Sequence, residues 1–129
     1  MNTQELIDEL RLQMKEAQDK AREIKLNIQN EGNSPCIKLQ GRTFFDSDYI
    51  SFEEHLQIVE LEKFLLKHND LNDRDLRFIF GGNVFYFSFL EELLNSIPGL
   101  AKAIRNFGAD VVAGMFVGTR LEHANKYEL

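Results

Sequence analysis

The chain has a single cysteine, Cys36, among its 129 residues. That excludes an intrachain disulfide and any cysteine-rich metal site. Long apolar runs are also missing. The longest, Val111 to Val117, falls far short of the roughly 20 residues that a membrane-spanning helix needs. Positive charge is scarce as well, with fifteen basic residues against twenty-one acidic ones and a net charge of −6. Lysines and arginines alternate with acids along the sequence and form no run, so the basic patch expected of a nucleic-acid binder is absent. The opening residues, Met1-Asn2-Thr3-Gln4-Glu5, have no basic stretch followed by an apolar core, the signature of a signal peptide. The expectation is therefore a cytoplasmic protein that binds neither nucleic acid nor membrane. A partner with a basic surface is mildly favoured.

What is present fits an ordinary globular domain. Apolar residues make up 43% and charged residues 28%, and eleven phenylalanines with no tryptophan supply aromatic volume for a core. A chain of this length buries roughly two-thirds of its unfolded surface, so folding needs neither a metal nor a disulfide.

The strongest pattern lies at the start. Asn2 and Glu5 have capping-box spacing. Ile7, Leu10, Met14, Ala17, Ala21, Ile24 and Ile28 then recur at alternating intervals of three and four, the seam of a coiled-coil-like helix. Ala17 and Ala21 narrow the seam and let a partner helix approach closely. The expectation is a helix over residues 1–31 that pairs with a second copy. The alternative is a helix docked on its own domain. Glu31-Gly32-Asn33-Ser34-Pro35 then ends the helix and reads as a linker to a domain over 36–129.

Within that domain, Ile37 and Leu39 before Gln40-Gly41, with Phe44-Phe45 after it, predict a short hairpin. Ser51 and Glu54 form a capping box that opens a helix to about Lys67. That helix is apolar on two sides, as one sandwiched between layers would be: Phe52, Leu56, Val59 and Leu66 on one, Ile58, Leu61 and Leu65 on the other. Asn69 to Asp75 reads as a polar turn. Leu76-Arg77-Phe78-Ile79-Phe80, Gly81-Gly82 and Asn83-Val84-Phe85-Tyr86-Phe87 predict a second hairpin with a primed turn. Its register would oppose Phe78 to Phe85 and place the phenylalanines on a core face. Ser88 with Glu91 opens another helix, Pro98 interrupts it and Gly108 ends it. The residues from Asp110 read as a helix with Gly114 and Gly118 one turn apart. The predicted class is α+β: a long N-terminal helix, then two β-hairpins and three helices in the order ββα-ββα-α.

Catalytic signatures are weak. There is no nucleophile-elbow pattern, phosphate-cradling loop or dinucleotide fingerprint. Cys36 lies next to Pro35 in a linker context. His55 has Ile58 and Val59 at its helical offsets, so no second metal ligand converges with it locally. Asp70 to Asp75 lacks the glycine and the final glutamate of a calcium loop. His68 and His123 fall near predicted helix ends. No cofactor, metal site or catalytic residue is assigned, although Asp46 or Asp48 could meet His123 through the tertiary fold. The aromatic hairpin could stack nucleic-acid bases, but only Arg77 would supply charge there, and a core role is expected. The resulting expectation is a non-enzymatic interaction module, an adaptor, inhibitor or chaperone that acts as a homodimer through the Ile7–Ile28 seam. The competing readings are a small-ligand domain with its pocket between sheet and helices, and an enzyme of unidentified class.

Overall fold

A computed structural model describes residues 2–31, 36–39, 42–45, 49–82 and 84–127, with backbone alone at 27–31, 36–39, 42–45, 84 and 125–127. Among the described residues the fold is built from six helices. These are α1 (Thr3–Glu31), α2 (Phe52–Lys67), α3 (Asp73–Gly81), α4 (Val84–Ser96), α5 (Leu100–Phe107) and α6 (Ala109–Tyr127). Strands β1 (Cys36–Leu39) and β2 (Arg42–Phe45) pair antiparallel, Cys36 opposite Phe45. This ladder is the predicted first hairpin, yet it forms no layer of the molecule. The α+β class is therefore wrong, and the chain is a helical bundle.

The error lies in residues 76–87. Leu76, Ile79 and Phe80 are buried, whereas Phe78 is 75% exposed. That is the i, i+3, i+4 pattern of a helix face, not the alternation of a strand. Asn72 caps α3: its side chain accepts from Asp75 N, and the Asp75 carboxylate accepts from Asn72 N. This is a capping box with Asp in the place of Glu, inside the stretch read as a turn. Gly82 sits at φ −97°, so the positive φ of a primed turn is never made. The segment after it is α4, which kinks at Phe87 (φ −120°, ψ 16°), one residue before the Ser88 expected to open a helix. Two ββα units therefore do not exist.

α2 is the central helix. Its capping box is formed as expected, with Ser51 Oγ accepting from Glu54 N at 3.1 Å and Glu54 Oε1 accepting from Ser51 N at 3.0 Å. Phe52, Leu56 and Val59 are buried on one side and Ile58, Leu61 and Leu65 on the other, so it is enclosed as its two apolar sides imply. Leu66 is the exception and faces solvent. α1, α4, α5 and α6 all pack on α2.

The N-termini of α5 and α6 are tied down by carboxylates from other helices. Asp73 accepts from the Leu100 and Ala101 amides at the start of α5, at 3.0 and 2.8 Å. Glu62 on α2 accepts from Ala109 N at the start of α6 at 2.6 Å. Each satisfies amides that a helix N-terminus leaves without an internal partner. Gly99 (φ 74°) and Gly108 (φ 87°) make the sharp entries to these two helices. The stretch from Asp110 is helical, as expected. No helix among the described residues is long and apolar enough to cross a membrane.

Candidate interaction surface

Six of the seven seam residues of α1 pack inside the chain. Leu10, Met14, Ala17 and Ala21 are buried, and Ile7 and Ile24 are partly buried against the same core. The side chain of Ile28 lies outside the described residues. α1 runs antiparallel to α2. Glu9, near its start, pairs with Lys67 and His68 at the end of α2, and the small residues Ala17 and Ala21 allow the close approach. A lone chain therefore does not leave the seam from Leu10 to Ala21 exposed.

Titratable side chains converge in three places, each joining elements distant in sequence. Arg120 on α6 donates to the Tyr49 carbonyl (2.7 Å), to Glu54 (2.9 and 2.8 Å) and to Glu92 (2.9 Å), and its guanidinium lies 4.3 Å from the centre of the Phe116 ring. Burial pushes the Glu54 carboxyl up. Hydrogen bonds from Arg120 and the Ser51 amide, with the arginine charge, outweigh this and hold it below the ordinary carboxylate range. Burial likewise opposes ionisation of Glu9, and Lys67 and His68 reverse the effect and leave its carboxyl lowered. In the third place His55, buried on α2, has Nε2 3.1 Å from Asp110 Oδ1 at the start of α6. Sequence spacing missed this pair because the two residues meet only through the fold. Asp46 and Asp48 lie outside the described residues. Among the described residues no group of three or more His, Cys, Asp or Glu side chains is placed to hold a metal ion. Cys36 is in β1, its side chain outside the described residues.

The unusual chemistry is on the surface. Phe85 is 97% exposed, and Phe78 and Tyr86 are also exposed at the corner where α3 turns into α4. The expected core role of Phe78 and Phe85 is overturned. Their neighbours Phe80 and Phe87 are the buried pair, with ring centres 5.7 Å apart. Arg77 donates to Asn95 at 2.9 Å. Tyr86 lies under Arg11 of α1, 4.2 Å from guanidinium carbon to ring centre. Between α1, the start of α2 and this corner runs a groove of about 370 Å³ with Met14, Lys15, Gln57, Phe85 and Tyr86 in its walls. Gln18 and Glu53 complete it and lead into a smaller hollow of about 210 Å³ beside Ala21, Arg22 and Lys25. Gln57 Oε1 is buried and receives no hydrogen bond. The size of the groove was not legible from spacing, because its walls come from three helices.

No family model, curated protein or solved structure matches the chain.

Proposed function

We propose that the chain is a non-enzymatic protein–protein interaction module that receives its partner at the α3–α4 corner and in the adjoining groove. The observation that supports it is Phe85. A phenylalanine 97% exposed, beside Tyr86 and a groove, stands in water at a cost that burial against a partner removes. Aromatic anchors of this kind are where binding energy concentrates. A small-molecule site has less support, since Lys15, Gln18 and Glu53 form as much of the groove wall as the apolar residues. Self-association through the α1 seam would require α1 to leave α2 and uncover the face it protects.

The test is site-specific photocrosslinking of the full chain in its native host. A benzophenone amino acid at position 85 should yield a discrete protein adduct, and the same group at Arg74, exposed on α3, should not. Equal labelling at both positions, or none at position 85, would count against the reading.

A further inference from the structure

On α1, positions 11, 15, 18, 22 and 25 follow one another at intervals of four and three, so they form one stripe along the helix. They hold Arg11, Lys15, Gln18, Arg22 and Lys25, four cations and an amide. Among the acids of the same stretch, Glu9, Glu16 and Glu23 recur every seventh residue on another line, and Asp19 flanks the stripe between Lys15 and Arg22. The cations at 11, 15, 22 and 25 thus share one line of the helix although charges alternate along the sequence. The basic stripe is the wall of the groove: Lys15 and Gln18 line its larger part, and Arg22 and Lys25 the smaller. Lys15, Arg22 and Lys25 are exposed and make no ion pair among the described residues.

We propose that the groove takes an acidic amphipathic helix of another protein. Its carboxylates would lie along Lys15, Arg22 and Lys25, and an apolar side chain would rest against Phe85 and Tyr86. The proposal rests on the reading of the chain as an interaction module and names the chemistry of the partner. Although the net charge of −6 by itself favours a basic partner, the groove wall reverses that sign locally. A helix is the form that fits, because carboxylates at three- and four-residue intervals match the cation spacing turn for turn. From Arg11 to Lys25 the stripe spans about 21 Å at 1.5 Å per residue, roughly four helical turns. On the opposite wall Glu53 meets a cation or donor of the partner and sets its direction. An anionic membrane or a nucleic acid fits less well. A surface broad enough to cover the stripe would also meet Glu53, and Asp19 on the neighbouring line of the helix.

The test is selection from a displayed library of random peptides of about 14 residues, the span of the stripe, against the full chain. The variants are K15E/R22E/K25E and F85A, each checked by thermal melting, which should stay at the parent value because all four side chains are exposed. The expected result is enrichment of peptides with Glu or Asp at three- and four-residue intervals around apolar residues. Their synthetic forms should bind about tenfold or more weakly to the triple variant, and more weakly as salt rises. Peptides that lose binding on F85A but are not acidic and ignore the triple variant would overturn the acidic-helix inference and leave the interaction-module reading standing. Peptides indifferent to both variants would remove both. Flotation with phosphatidylserine vesicles is the second arm. Vesicle binding lost in the triple variant, with no charge-dependent peptide, would overturn the proposal in favour of a membrane surface.

Discussion

The α1–α2 pair and the α3–α4 pair place their apolar residues in opposite ways. In the first, a seam from Leu10 to Ala21 closes completely on its neighbour, and Glu9 with Lys67 and His68 secures the far end. In the second, phenylalanines two positions apart part company. Phe80 and Phe87 go into the core while Phe78 and Phe85 go out to solvent. The first arrangement is what folding stability alone would produce. The second keeps apolar surface that stability does not need, and such surface is the usual mark of a place where another molecule sits.

The comparison breaks most visibly in the core of the aromatic corner. Phe80→Ala and Phe87→Ala should each destabilise by about 3–5 kcal/mol in urea unfolding, because each opens a cavity among residues that are fully buried. Leu10→Ala should cost about 2–4 kcal/mol. Since its contacts lie within one chain, the loss should be the same at low and high protein concentration. A concentration-dependent loss would return the α1 seam to an intermolecular role.

Arg120→Ala removes the guanidinium that bridges Glu54 and Glu92, leaving Glu54 its Ser51 amide bond, and takes the arginine bond from the Tyr49 carbonyl. A cost of about 1–3 kcal/mol is expected, measured by thermal melting near neutral pH. The same clasp gives a pH dependence of known sign. The folded Glu54 carboxyl lies below the ordinary 4.5. Its stabilising effect is therefore complete above that value and is lost as pH falls through the lower folded value. Melting temperatures of the parent and Glu54→Gln should differ at pH 7 and converge toward pH 3. A gap that widens in acid would contradict the assignment.

The smallest effect sharpens the contrast. Phe78→Ala and Phe85→Ala should each change stability by less than about 0.5 kcal/mol. A loss of several kcal/mol at either position would mean that the corner is closed and the two helix pairs are alike.

Elements with an explicit boundary signal were legible in the sequence. Ser51 with Glu54 located α2, and the three-four rhythm from Ile7 located α1. That rhythm specifies a stripe to be covered, not what covers it, and so the covering by α2 was one of two open readings. α3 carries two patterns at once. Leu76, Phe78 and Phe80 alternate, but Leu76, Ile79 and Phe80 also satisfy a helix, and Asn72 with Asp75 was the local signal that decides between them. Pattern alone treats every phenylalanine as buried, which hid the surface at Phe78 and Phe85. The basic stripe, by contrast, was present in the spacing and vanished only because the charges were read along the chain instead of around the helix.

The carboxylates of Asp73 and Glu62 have a further consequence, for the order in which the molecule is made. α5, with eight residues, is too short to persist on its own in water. Its first amides are held by Asp73, and the first amide of α6 by Glu62. Both acids leave the ribosome before the helices they cap, and α1 and α2 can close on each other earlier still. Synthesis from the N-terminus thus delivers each anchoring group ahead of the segment that depends on it. A nascent chain stalled with α1 to α4 outside the exit tunnel should already protect the α2 amides from hydrogen exchange. In released Asp73→Ala chains, the amides of Leu100 and Ala101 should exchange faster than those of α2.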